Sequence, residues 1–179
     1  MKYTVLKINT TGLNPEIDKI TEIAILNCDG ENVVSEFSTV INPAIDIPEN
    51  IEKIVGITNS MVKSLPIFEQ EKEKIILELK DKVLVGFNIG FDLAFLKNAL
   101  GIEELPNKNI DVLRVSNLAI SPKQIKNHRF QTLCDYFQIV DDYHVRALRY
   151  AHMVHSLFEK LIPEIEKKRD ELKNNNNGK

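Results

Sequence analysis

The stretch TVLKINTTGL, residues 4–13, runs as an apolar strand into two threonines and a glycine, and it carries Lys7 and Asn9 two residues apart. Side chains alternate across a strand, so Lys7 and Asn9 share one face while Leu6 and Ile8 share the other. A lysine in so apolar a segment stands either at a sheet edge or beside something negative. Asp92, in FNIGFDLAFL, is an acid at the start of an expected helix, where a carboxylate also suits the helix dipole. Lys123, Lys126, Arg129, Arg146 and Arg149 supply positive charge of the kind that meets phosphates. Arg146 and Arg149 are three apart on one helix face, for which plain solvation is the default. Other chemistries find less support. His128, His152 and His155 belong to no metal-like constellation, and Cys28 and Cys134 to no metal-ligand spacing, so the thiols read as reduced ones in a cytoplasmic protein.

The elements that must hold these residues follow from periodicity. Residues 3–9, 17–27 and 33–41 are rich in β-branched and aliphatic side chains, with Asn14-Pro15 and Asp29-Gly30 marking turns between them. Connections this short force antiparallel neighbours, hence a meander. Residues 41–66 have turn signals at both ends and two short helical pieces inside, the second capped by Thr58 or by Asn59-Ser60. In 67–82 the apolar residues Ile67, Phe68, Ile75, Ile76 and Leu79 recur at helical spacing. VLVGF (83–87) is a continuous apolar strand, a helix follows at 91–100, and a last short strand falls at 109–112. Helices are expected at 112–120, 129–138 and 145–172, with Pro163 kinking or interrupting the last. This order gives an α/β domain over residues 1–173, a mixed central sheet (antiparallel meander, then parallel strands) flanked by helices, with a disordered polar tail at 174–179.

Composition bounds the reading further. The chain has 179 residues, 43% of them apolar and 27% charged, which is enough for one globular domain with its own core. No apolar run approaches the ~20 residues that span a bilayer, and the N-terminus enters a strand directly, so no membrane or leader is expected. A net charge of −3 exerts no global pull on nucleic acid but leaves room for a local basic groove.

Six landmarks in order carry a family resemblance: TTGL (10–13), IVGIT (54–58), LVGFNIGFDLAFL (84–96), NIDVLRVSNL (109–118), NHRFQTLCDYFQI (127–139) and RALRYA (146–151). From Tyr3 to about Leu161 the chain resembles the DnaQ-like (DEDDh-type) 3′–5′ exonucleases of the ribonuclease H-like fold. Within them it is most similar to the proofreading domains of bacterial DNA polymerase III. The resemblance implies two-metal phosphodiester hydrolysis: four carboxylates hold two divalent ions, and a histidine is the general base. The first two acids form an Asp-x-Glu pair on the first strand. Here Lys7 and Asn9 occupy those positions. Asp92 keeps the third, Tyr150 stands at the fourth, and Val145 falls on the base, with His144 one residue early and turned by about 100° if helical. Phe87 replaces a histidine, and Glu22 and Asp111 match scaffold positions outside the ligand set.

These replacements imply lost metal chemistry. A unit charge at ~4 Å contributes ~4 kcal/mol at an effective dielectric of 20, and Lys7 would oppose a metal by a comparable amount per charge. The resemblance therefore points to a metal-free polar cluster of Lys7, Asn9, Asp92 and Tyr150, the ammonium standing in for the cation beside Asp92. The substrate-holding parts are kept: Thr10, Thr11, Gly12, Leu13, Asn88 and Phe91 match residues that contact the terminal nucleotide in similar proteins, although Leu13 and Phe91 also suit a core. The expected function is a degenerate exonuclease domain that is catalytically inactive, has no cofactor, and binds a nucleic-acid 3′ end, a nucleotide, or a replication or repair protein. Two alternatives stay open. One is an active enzyme using Mg²⁺ or Mn²⁺ on relocated ligands such as His144, Asp141 and Asp142, and the other is a purely structural interaction module.

Overall fold

The computed structural model describes residues 1–140 and 146–176; Asp141, Asp142, His144 and Val145 lie outside the described residues. Strands β1 (Lys2–Thr10), β2 (Ile20–Asp29) and β3 (Asn32–Val40) form the expected antiparallel meander. Gly30 makes the tight turn between β2 and β3 at φ 56°, a left-handed conformation that costs glycine little. Two short parallel strands, β4 (Leu84–Gly86) and β5 (Asn109–Asp111), complete a five-stranded sheet in the order β3-β2-β1-β4-β5. The helices are α1 (Glu49–Val55), α2 (Asn59–Val62), α3 (Phe68–Leu79), α4 (Gly90–Leu100), α5 (Val112–Ala119), α6 (Phe130–Tyr136) and α7 (Ala147–Asn176). Thr58 caps α2 by accepting the Met61 N–H, as its residue type suggests.

Alternation along β1 and β2 divides the core into two layers. Leu6, Ile8, Ile23 and Ile25 face α3 and α4, meeting Ile75, Leu79, Phe95 and Leu96. Tyr3, Val5, Ala24, Leu26 and Cys28 face α5 to α7, meeting Val112, Leu133, Ala151, Val154 and Leu157. Burying each large side chain contributes roughly 1.5–3 kcal/mol, so both faces of the central strands resist any slip in register. Lys7 and Asn9 share the second face by alternation and lie toward the first turn of α7. Cys28 and Cys134 are buried and not bridged to each other. Among the described residues no helix is long and apolar enough to cross a membrane.

Four local expectations need correction. β2 begins at Ile20 rather than at 17, because Asn14 to Asp18 form a turn: the Asn14 carbonyl accepts the N–H of Ile17 and Asp18, leaving Ile17 exposed. On α3, Ile67 and Ile76 are exposed, while Glu71 is buried beside Ile75 and pairs with Lys74. Pro163 lies inside α7 without ending it. The turns on either side are anchored, upstream by Phe158 and Leu161 in the core and downstream by the Lys168 ammonium donating to the Leu118 carbonyl. α7 also reaches Asn176, three residues into the stretch expected to be a disordered tail, and 177–179 lie outside the described residues.

Candidate functional site

β4 is short, and that is what creates the site. β1 pairs with β4 only at Thr4 and Val5, then continues alone on that side to Thr10. The chain leaves β4 at Gly86, where a Cβ would lie 2.9 Å from Ile89 Cγ1, and passes through Asn88 at φ 54° into α4. This turn sets Asp92, in the first turn of α4, against the open edge of β1. Asp92 Oδ1 accepts the Ile8 N–H at 2.7 Å, replacing a ladder partner that β4 does not supply.

The Lys7 ammonium lies 3.3 Å from the same Asp92 oxygen and donates to the Ile8 carbonyl at 2.8 Å. The opening alternative is thereby settled in both senses: Lys7 is at a local edge and beside a carboxylate. Its ammonium also sits 5.2 Å from the Tyr150 ring centroid and 5.7 Å from that of Phe91, within reach of cation–π attraction. Burial drives the Asp92 carboxyl above its usual value, while Lys7 and the Ile8 N–H pull it part of the way back. Tyr150 is held protonated chiefly by burial, then by the charges of Asp92 and Cys134. Its ring stacks on Phe130 at 4.2 Å and 19°, and Phe130 meets Phe87 edge to face at 5.0 Å.

The Lys7–Asp92 pair has a pH signature. Removing Lys7 takes away an influence that lowers the Asp92 value, so the carboxyl moves higher still. Lys7→Met is therefore expected to destabilise the fold more near pH 8 than near pH 5, by up to about 3 kcal/mol, because any Asp92 that ionises does so without its partner. The loss shrinks as pH falls and the carboxyl takes up a proton. Urea unfolding at the two pH values measures this, and an equal loss at both would mean that the contact is not ionic.

Asn9 connects to a second carboxylate. Its Nδ2 donates to Glu22 Oε2 at 2.9 Å, and the same buried Glu22 accepts from Arg146 Nε at 2.9 Å, Arg146 Nη2 at 2.8 Å and the Ala147 N–H at 2.8 Å. Glu22 is thus more than a scaffold acid: it joins β1 and β2 to the N-terminus of α7. Arg146 does not lie on a free solvated face, because its guanidinium is bound to Glu22. The signal for Glu22 was an acid inside an otherwise apolar strand, directly opposite Asn9. Asp111 keeps a scaffold position, capping α5 through the Leu113 N–H and holding the Asn88 N–H at 2.9 Å. Among the described residues no three His, Cys, Asp or Glu side chains converge as a metal shell would require.

The TTGL segment forms a braced corner. Thr10 Oγ1 donates to the Gly12 carbonyl, Thr11 Oγ1 donates to Asp18 Oδ1 at 3.1 Å, and Asp18 Oδ2 accepts the Asn14 N–H at 2.9 Å. A Cβ on Gly12 would lie 2.4 Å from the Asp18 carboxylate, so only glycine fits while Asp18 keeps those bonds. Leu13 projects 82% exposed from this corner. Phe91 is half-buried against Phe95, 4.9 Å away. Lys123, Lys126 and Arg129 are exposed, and Arg149 donates to the Val140 carbonyl at 3.2 Å.

Comparison with known proteins gives a consistent picture. The sequence model of the RNase_T family, described as Exonuclease, matches residues 8–158. The DNA polymerase III PolC-type of Caldanaerobacter subterraneus subsp. tengcongensis is 32% identical over 168 residues, covering 92% of this chain but only 12% of the relative. Among solved structures, E. coli Exonuclease I in complex with a dT13 oligonucleotide superposes with a TM-score of 0.80 at 16% identity, over 96% of this chain and 43% of that one. The nuclease domain of 3′hExo, a DEDDh family member bound to rAMP, gives a TM-score of 0.75 at 14% identity, over 91% and 92% of the two chains.

Proposed function

The chain belongs to the DnaQ-like exonuclease family, and we propose that within it this chain is a catalytically silent member that binds the 3′ end of a single nucleic-acid strand without cutting it. The observation that carries this reading is the Lys7 ammonium, 3.3 Å from the one acid kept at the family's metal-ligand positions. Mg²⁺ needs hard, anionic oxygen ligands. Here Asp92 is already engaged by Lys7 and the Ile8 N–H, Asn9 is neutral, and Tyr150 is a protonated phenol stacked on Phe130. These residues do not suit a divalent ion, and no hydrolytic step is assigned to them.

The binding half of the proposal rests on what is left open. Leu13 projects from a braced corner, Asn88 lies on the turn that leads into α4, and Phe91 is half-buried in the first turn of that helix. Structural neighbours hold an oligonucleotide or rAMP, which supports the same class of ligand here. Kinship with PolC-type polymerases extends the proposal to work beside the replication or repair machinery. The test is incubation of the purified chain with a 5′-labelled oligonucleotide in Mn²⁺. The expected result is salt-dependent binding with the strand left at full length. Progressive shortening that Asp92→Ala abolishes would overturn silence and favour relocated ligands around Asp141, Asp142 and His144. No binding at all would leave only a structural interaction module.

A further inference from the structure

Beside the Lys7 cluster lies an open cleft of about 670 Å³ that shares only Asn88 with the proposed 3′-end contacts. We infer that this cleft is a second nucleotide subsite, holding a base and phosphate upstream of the strand's 3′ terminus; the inference rests on the reading above for the direction of the strand. Its apolar wall is made by Phe87 and Phe130. Phe130 is fixed from behind by its stack on Tyr150, so the wall is rigid before any ligand arrives.

The polar groups around that wall are of both kinds that a base edge requires. Asn117 Nδ2 is spent on the Leu113 carbonyl, which leaves its Oδ1 as an acceptor. Asn127 Oδ1 takes the Arg129 N–H and the Thr132 hydroxyl, which leaves its Nδ2 as a donor. Among the described residues the Asn88 side-chain amide and the Arg129 guanidinium bond to no other protein group. Aromatic faces tolerate every base, amides read edges, and an exposed arginine meets a phosphate. A single strand, with its bases unstacked, is the ligand that uses all three together. Asn88 belongs both to this cleft and to the turn that carries Phe91, so the two subsites are contiguous.

The experiment uses the whole chain with a 5′-fluorescein oligothymidylate of about eight residues, with 5-iodouracil in place of one thymine upstream of the 3′ end. Photocross-links are expected at Phe87 or Phe130, located by peptide mass spectrometry on the wild-type protein. Arg129→Gln is expected to weaken binding about fivefold and to lower the slope of log K against log salt by about 0.7. Leu13→Ser reports separately on the 3′-end contacts. Cross-links confined to residues 10–18, with Arg129→Gln binding normally, would overturn the cleft and leave the 3′-end reading standing. Cross-links in the cleft, with Leu13→Ser neutral, would keep the cleft and remove the 3′-end reading. A wild-type chain that binds no oligothymidylate would overturn both.

Discussion

Glu22→Ala is expected to destabilise the fold by about 4 kcal/mol, the largest loss from any single change at the site. Glu22 is 1% exposed, and its carboxylate accepts from Asn9, twice from Arg146, and from the Ala147 N–H. Removing it takes the shared acceptor from a backbone N–H, an amide and a guanidinium at the junction of two strands and a helix, and a buried group that loses its partner costs about 1–3 kcal/mol. Arg146 is 40% exposed and can turn to water, so Arg146→Ala should cost less, about 2 kcal/mol. Glu22→Gln keeps the shape but cannot serve every donor, and should fall between the two. Urea unfolding ranks the three, and hydrogen exchange should find the Ala147 amide less protected in the Glu22 variants. A loss below about 1 kcal/mol for Glu22→Ala would mean that this junction does not hold α7 in place.

Restoring the acids should turn the fold into a metal-dependent one. A chain carrying Lys7→Asp, Asn9→Glu, Tyr150→Asp and Val145→His is expected to be less stable than the parent without metal, because its new carboxylates crowd Asp92 and Glu22 in a buried pocket. With Mn²⁺ at about 100 times its dissociation constant, binding returns about 2.7 kcal/mol, or roughly 5–10 °C in melting temperature for a chain of this length. The parent should not shift. Thermal unfolding with and without Mn²⁺ separates the two chains. An equal rise in the parent would mean that Lys7 does not keep cations out. No rise in either would mean that the four restored residues do not converge closely enough to hold a cation.

The fold was readable because its information is periodic. Alternation in β1 and β2 and the continuous apolar run of β4 give the strands, and the short connections give the antiparallel meander. The start of β2 was misplaced because Ile17 reads as a strand residue while Asn14 and Asp18 bind each other's backbone and side chain in a turn. Of the site, Lys7, Asn9, Asp92 and Tyr150 could be marked from the order of landmarks, yet their partners could not all be. Asn9 meets Glu22, and Glu22 meets Arg146 across 124 positions. No periodicity encodes which two buried charges will face each other over such a distance. The stack of Phe130 on Tyr150 was hidden likewise, since an aromatic in an amphipathic helix reads as core until its neighbour is seen.

The Lys7–Asp92 contact also changes how such a protein depends on its surroundings. A divalent ion is drawn from solution, so a relative that needs one can be starved by a chelator or poisoned by a competing ion. A lysine is part of the chain and never dissociates from its place. Under the proposed reading, the counter-charge beside Asp92 is built into the chain and does not follow the magnesium content of the medium, whereas any contact to phosphate still weakens as salt rises.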